Sequence, residues 1–394
     1  MKIPFLFVLA AAALPAQAAL EATLQTTRGD IKVTLEYTKA PRTVGNFVSL
    51  AEGTRAWIDP RSGAVKKQPF YNGIGFHRVV NDSTFKIIQA GSPMGDGSDG
   101  PGFVFPDEFH ATLPVEAYVL AMANSGPNTN GSQIFFTGNV GASWLTNVHS
   151  VFGTVTDTAS RAVIDAILAA GAGAPPASPT TITNVTIART DAGALAFDPL
   201  AQVLPTVTAP VAALTVANPA AGLGTIAVNQ PARSLLRLYQ STNLSAWNDL
   251  GYLYLDRFDT PLTEIDVGGV VQGVPSQFFR VPVTAYPSDA MAPSEMAGRT
   301  LTVQTGYGAF VVVFNNSGGG TLIYGTSSYP LSHVSHDPEG YRADLDIRSN
   351  FYPLAFQLAY DSETSTLLSG RAKGYYSNGF SWSDLYATSF TLTK

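Results

Sequence analysis

Beyond its first twenty residues, this chain spaces its apolar residues as a helix does in only two stretches. Val44, Phe47, Val48 and Ala51 recur at helical intervals between Pro41 and Glu52, with the proline at the start and Gly53 as the stop. Val163, Ile164, Ile167 and Leu168 do the same between Ala159 and Ala170, ended by Gly171. Elsewhere apolar residues come in short alternating runs divided by turns. Ala22 to Glu36 reads as two strands joined at Arg28-Gly29-Asp30, with Ile31, Val33 and Leu35 on one face, and Thr181 to Ala188 reads as a closing strand. The pattern predicts a mainly β chain whose first half is a closed antiparallel barrel capped by two helices.

The 394 residues are enough for two or three domains with sizeable cores. Lys2, the apolar run Ile3 to Leu14, the break at Pro15 and the small residues of Ala16-Gln17-Ala18 predict a signal peptide over residues 1–18. Cleavage near Ala18 would leave a soluble periplasmic or extracellular protein, since no later stretch reaches the length of a membrane span. The chain has no cysteine, which excludes disulfides, thiolate metal sites and a cysteine nucleophile. A net charge of −6 with 13% charged residues argues against nucleic acid or anionic lipid as a partner. A domain at residues 19–191 is followed by an Ala/Pro/Thr linker at 192–210, a small β module at 211–290 and a β domain at 291–394. In the last of these, runs such as Thr300–Val303, Phe310–Phe314, Leu322–Gly325, Ala343–Ile347 and Leu354–Tyr360 predict a sandwich or small barrel.

The residues that carry chemistry lie in the first domain. Phe76-His77-Arg78-Val79-Val80 is followed by Gln89-Ala90-Gly91. The long block Met122-Ala123-Asn124-Ser125-Gly126-Pro127-Asn128-Thr129-Asn130-Gly131-Ser132-Gln133-Ile134-Phe135-Phe136 comes next, then Trp144-Leu145 and His149-Ser150-Val151-Phe152-Gly153. From Leu20 to Arg189 the chain resembles the cyclophilin-type peptidyl-prolyl cis-trans isomerases. That resemblance implies an eight-stranded closed antiparallel barrel with a helix closing each end, and rotation about X–Pro bonds in protein folding as the activity.

Such rotation faces a barrier near ~20 kcal/mol, because resonance gives the C–N bond partial double-bond character. It needs no nucleophile, metal or cofactor. It needs an apolar pocket for the proline ring, a grip on the preceding residue, and a donor aimed at the imide nitrogen, whose lone pair is available only in the twisted state. The resemblance implies Arg78 as that donor, and a guanidinium offers fixed planar donors that lysine lacks. It further implies that Gln89 orients the arginine and that the Asn124 backbone holds the residue before proline. Ala123 and Gln133 would line the adjoining groove, Phe135, Leu145 and Ile87 the floor of the proline pocket, and Trp144 and His149 its rim. His77 matches a largely buried family histidine that packs and hydrogen-bonds. The implied partners are proline-containing peptides or unfolded clients, and cyclosporin-like ligands.

Two departures stand out. The loop Asn81-Asp82-Ser83-Thr84 is longer than is usual in the family, and the pocket phenylalanine's place falls on Lys86, with Phe85 one position away. Either Phe85 enters the pocket through a bulge or the lysine stem covers it. Ala90 and Ser92 also replace the common glycine and aspartate around Gly91. A second reading therefore stands beside the enzyme: a catalytically weak binding module for proline-containing segments, anchored or targeted by its β domains. Asp96-Gly97-Ser98-Asp99-Gly100 reads as a polar turn rather than a calcium loop, and His333, His336 and Asp337 read as a solvated loop rather than a metal site. The C-terminal half resembles all-β modules appended to secreted bacterial proteins, with no activity implied.

Overall fold

The computed structural model describes residues 20–209, 213–218, 223–230, 233–253, 262–266, 277–287, 296–316, 319–339, 341–349, 353–363, 367–377, 382–385 and 387–393. The expected signal peptide and cleavage point lie outside the described residues.

Eight strands make the first sheet: β1 (Leu20–Thr26), β2 (Gly29–Leu35), β3 (Arg78–Asn81), β4 (Lys86–Ala90), β5 (Val119–Met122), β6 (Ile134–Thr137), β7 (Val151–Thr154) and β8 (Ile182–Arg189). Their spatial order is β8-β1-β2-β7-β5-β6-β4-β3, antiparallel throughout. The expected closure is partial. The edge strands β3 and β8 do not pair with each other; single bridges between Val79 and Gly173 and between Gly75 and Thr181 link this edge of the sheet to the segment leading into β8. The β1–β2 hairpin turns at Gly29, whose φ of +125° favours glycine and whose Cβ would lie 2.8 Å from Val163.

Helix α1 (Pro41–Ala51) has proline in its first turn and no cap from its own N-cap residue. The carboxylate of Glu108 supplies the cap from a distant loop, accepting from the backbone N–H of Arg42 at 3.2 Å and of Thr43 at 2.8 Å. Helix α2 (Thr158–Ala169) is capped locally, Asp157 accepting from the Ser160 N–H at 2.8 Å. Both helices send apolar residues into the barrel core: Val44, Phe47 and Val48 from α1, Ile164, Ile167 and Leu168 from α2, against Leu24, Val33, Phe136 and Phe152.

The expected linker is packed against the first domain rather than running free. A short helix, α3 (Ala192–Ala196), is followed by Leu204 and by Val207 of the strand Thr206–Thr208, and Ala194, Leu204 and Val207 all join the barrel's apolar cluster. Arg55 donates to the carbonyl of Pro205 at 3.1 Å, and burial lowers its pKa to about 10. Alanine and proline composition reads as a tether, yet small uncharged residues also lie flat against a surface.

Thr206–Thr208 then enters the second region, pairing with Val283–Ala285 in a sheet with Ser234–Ser241, Asn248–Leu253 and Phe278–Arg280. A three-stranded sheet of Ala213–Asn218, Leu223–Gln230 and Leu262–Asp266 accompanies it, and Ile226, Val228, Leu236, Leu238, Ile265, Val281 and Val283 form the shared core. The C-terminal region resolves the choice between sandwich and barrel. Strands Thr300–Thr305, Gly308–Phe314, Gly320–Tyr324, Ser327–Glu339, Arg342–Ser349, Leu354–Glu363, Leu367–Ser377 and Ser389–Thr393 pair in a complete ring, with Trp382–Asp384 as an extra edge. His333, His336 and Asp337 sit on one of these strands, not in the loop expected for them.

Candidate active site

The two-residue period of a strand decides where the site lies. Along β4, Ile88 and Ala90 belong to the barrel core, while Ile87 belongs to a separate cluster on the opposite face. The same division separates Phe136 from Phe135 on β6, Leu120 and Met122 from Ala121 on β5, and Phe152 from Val151 on β7. The sheet thus carries an apolar patch on its outer face. Ile87, Val115, Val119, Ala121, Phe135, Ala142 and Val151 form it, with Val80, Phe85, Leu113, Ala123 and Leu145 packed around them.

Ladder register brings the polar edge to this patch. Arg78 stands opposite Gln89 across β3–β4, and Gln89 opposite Phe135 across β4–β6. Arg78 Nη1 donates to Gln89 Oε1 at 3.1 Å. Gln89 Nε2 donates in turn to Gln133 Oε1 at 3.0 Å. Gln133 Nε2 then donates to the carbonyls of Gly97 and Asp99, both at 2.8 Å. Each amide accepts at its oxygen and donates at its nitrogen, so the chain of hydrogen bonds orients the guanidinium from behind.

Phe85 packs on the outer cluster, and without the bulge expected for it, since the β3–β4 ladder is regular up to Asn81 opposite Lys86. A turn in which Asp82 Oδ1 accepts from the Phe85 N–H at 3.2 Å swings the ring toward the outer cluster, 5.6 Å from the Trp144 ring. Lys86 lies at the start of β4, half-buried beside Gly138. Trp144 occupies a one-turn 3₁₀ segment, Ser143–Leu145, and is largely exposed, whereas Leu145 packs on the cluster. His149 stands edge-on to Phe135 at 5.4 Å, with Nδ1 2.9 Å from the carbonyl oxygen of Met122. Burial lowers its pKa, and the Met122 carbonyl opposes that shift only in part.

Asn124 lies in the loop that follows β5, held by a bond from its Nδ2 to the Val148 carbonyl at 2.9 Å. Gly91 makes the close approach that this loop's far end requires: at φ +98° its missing Cβ would lie 2.3 Å from the Ser132 carbonyl oxygen. His77 packs as expected but makes no hydrogen bond: it is buried against Gly97, and neither ring nitrogen has a hydrogen-bond partner among the described residues. Burial lowers its pKa, with the charges of Asp99 and Asp96 pulling the other way. Asp96 and Asp99 close the turn above it on Ser98, Ser92 and the Met94 N–H.

A cavity of about 430 Å³ adjoins this row, lined by Gln89, Ala123, Asn124, Thr129 and Gln133 on one side. Arg237 and Tyr239 of the second region complete its wall. Sequence reasoning did not reach these two residues, because no local pattern ties a strand more than a hundred residues away to this groove.

The sequence profile described as "Cyclophilin type peptidyl-prolyl cis-trans isomerase/CLD" matches residues 22–187. Peptidyl-prolyl cis-trans isomerase B of Streptomyces anulatus is 50% identical over 151 residues, covering 38% of this chain and 84% of that protein. The probable peptidyl-prolyl cis-trans isomerase A of Mycobacterium leprae is 46% identical over 170 residues, covering 42% of this chain and 91% of the relative. The chain belongs to the cyclophilin-type peptidyl-prolyl cis-trans isomerase family. Its activity is the family's, rotation about X–Pro peptide bonds. Among solved structures, a cyclophilin-type isomerase of Cryptosporidium parvum, crystallised in the presence of the dipeptide Ala-Pro, aligns with 25% identity and a TM-score of 0.36, covering 43% of this chain and 99% of that one. The profile match runs through the first sheet, its two long helices and the loops between them, and ends within β8; the β structures that follow Arg189 lie beyond it.

Proposed function

We infer that the isomerase reaction takes place on the outer face of the first sheet, with Arg78 as the donor to the imide nitrogen. The single observation that carries this reading is the row Arg78–Gln89–Gln133, oriented at the edge of the Phe135 cluster. A proline ring seated on Phe135, Ile87 and Leu145, with Phe85, Trp144 and His149 around it, leaves its nitrogen beside a charged planar donor. As the bond twists, the nitrogen becomes pyramidal and gains a lone pair that the guanidinium can bond. The interaction strengthens only in the transition state and so lowers the barrier. Gln89 orients the arginine, the Asn124 backbone holds the preceding residue, and Ala123 and Gln133 line the groove that leads to it. His77, packed beneath Gly97, supports the loop rather than touching substrate. No atom is transferred.

The clients are proline-containing segments of unfolded proteins outside the cytoplasm, reached after cleavage near Ala18; a cyclosporin-like cyclic peptide is expected to compete for the same face. The domain division 19–191, 211–290 and 291–394 has the isomerase first. A protease-coupled assay on a proline tetrapeptide tests the chemistry: Arg78→Ala is expected to lower kcat/KM by about 10²–10³-fold, the scale of losing one preorganised donor. Equal rates in the variant and the parent chain, both at the uncatalysed background, would leave the first domain as a binding module for proline segments. Export is tested by N-terminal sequencing of the protein recovered outside the cytoplasm, with Ala19 as the expected first residue.

A further inference from the structure

The loop that carries Asn124 is not held by its own domain alone. Asn128, four residues on, is fully buried in the left-handed region at φ 59°. Its backbone N–H donates to Asp107 Oδ2 at 2.9 Å, and its Oδ1 accepts from the Asp107 N–H at 2.9 Å. Its Nδ2 reaches out of the domain, to the Tyr360 carbonyl at 3.3 Å and to Asp361 Oδ1 at 3.2 Å. Arg371, on the C-terminal barrel, closes the arrangement. Its Nη1 donates to Asp107 Oδ2 and its Nη2 to Asn128 Oδ1, both at 2.9 Å, while Asp361 braces it at Nε (2.8 Å) and Nη2 (2.9 Å). The Asp107 side chain is 1% exposed, so its negative charge is buried beneath the barrel that supplies the counter-charge.

We propose that Arg371 is a positioning residue for the isomerase site, through which the C-terminal barrel holds the substrate-binding loop Asn124–Asn130 in place. The loop is stiff enough to transmit the hold. Thr129 Oγ1 accepts from the Ser125 N–H at 2.8 Å and donates to the Gly126 carbonyl at 2.8 Å, and Asn124 Oδ1 accepts from the Gly126 N–H at 3.4 Å. A shift of Asn128 is therefore a shift of the turn that ends in Asn124. The planar guanidinium makes four hydrogen bonds to Asp107, Asn128 and Asp361 from three separate nitrogens, whereas an ammonium has three donors on a single atom. Removing it leaves Asp107 buried with neutral donors only, the Asn128 N–H and Asn130 Nδ2, and without its opposite charge. The inference rests on the reading that Asn124 holds the residue before proline. Since that grip acts on bound substrate and transition state alike, its loss is expected in KM rather than kcat.

The test uses the full chain and a proline tetrapeptide, with kcat and KM measured separately. Arg371→Ala is expected to raise KM by about tenfold with kcat kept within about twofold, and Arg371→Lys to fall between it and the parent. In an Asn128→Gly background, which keeps the left-handed backbone but removes the relay, Arg371→Ala is expected to add nothing further. Arg348→Ala, which removes an exposed arginine paired with Asp346 on the same barrel, is the control and should leave both constants unchanged. If Arg371→Ala does not fold, Asp361→Asn takes its place, with a smaller KM increase expected. A KM unchanged in the folded variant, a loss carried by kcat, or an effect undiminished in the Asn128→Gly chain overturns the proposal. Arg78→Ala run alongside separates the two failures. Full activity there refutes the site reading, whereas an inactive Arg78→Ala with an unaffected Arg371→Ala refutes the positioning role alone.

Discussion

In the barrel of residues 300–393 the ladders run all the way round, and its buried apolar residues, Leu301, Val312, Phe356 and Phe390 among them, form one cluster. In the isomerase domain the ladder stops short of closing, and the sheet buries apolar side chains on both faces, Phe136 in the core and Phe135 in the outer patch. Both structures solve the same problem of hiding strand edges and an apolar face. The second builds a further cluster outside its core, on the opposite face of the same sheet, and aligns a row of polar side chains along the cluster's edge. Antiparallel strands make the scaffold in either case; on the reading proposed above, the chemistry comes from what one face adds to it.

The contrast is broken most severely by cutting neighbouring rings on one strand. Phe136→Ala is expected to cost about 3–5 kcal/mol of stability, as large-to-small core changes do, and to lower the melting temperature of the first domain by roughly 10 °C or more. Phe135→Ala should cost less stability but lower kcat/KM by at least about tenfold, since the floor proposed for the proline pocket goes with it. If the two variants behaved alike in calorimetry and in the peptide assay, the division of the sheet into a structural and a functional face would be wrong. Phe356→Ala, in the core of the C-terminal barrel, is the counterpart. It should destabilise that barrel by a similar ~3–5 kcal/mol and leave the chemical step, read as kcat, unaltered.

A smaller effect comes from acid. His77 and His149 are both held neutral by burial, with pKa values lowered from the ordinary one. Below about pH 6.5 the unfolded chain takes up protons that the native domain resists. Stability from these two groups is therefore complete above that pH and lost as pH falls through their lowered native values. Melting curves between pH 7.5 and 5.0 should show the decline in the first domain, and His77→Phe should make it shallower; a melting temperature flat across this interval would contradict the account. The smallest change concerns α2, where Asp157→Ala removes the side chain that caps its N-terminus and should cost about 1 kcal/mol with kcat/KM unaffected.

Features with a local period were legible from the residues. The two long helices appear within one residue of their expected bounds at either end, and the β1–β2 hairpin turns at Gly29. Five strands of the C-terminal barrel fall on the alternating runs, whereas Ser327–Glu339, Leu367–Ser377 and Ser389–Thr393 lay outside them, and the ring rather than a sandwich depended on pairings between Leu354–Glu363 and Leu367–Ser377 and on to Ser389–Thr393 that no single run specifies. Phe85 was undecided in sequence because a one-residue change in turn length moves a ring across the sheet. The Asp82–Phe85 turn made the choice.

The row at Arg78 was named through the family resemblance of its motifs. Spacing along the chain was enough to assign two helices and many strands, since amphipathic periods act over short separations. It was not enough to say that residues 192–209 would lie against the barrel, that Arg237 and Tyr239 would wall the groove, or that Arg371 would reach Asp107 across 264 positions. Those contacts follow from how finished domains dock, and docking depends on shape and buried charge at surfaces that exist only after each core has formed.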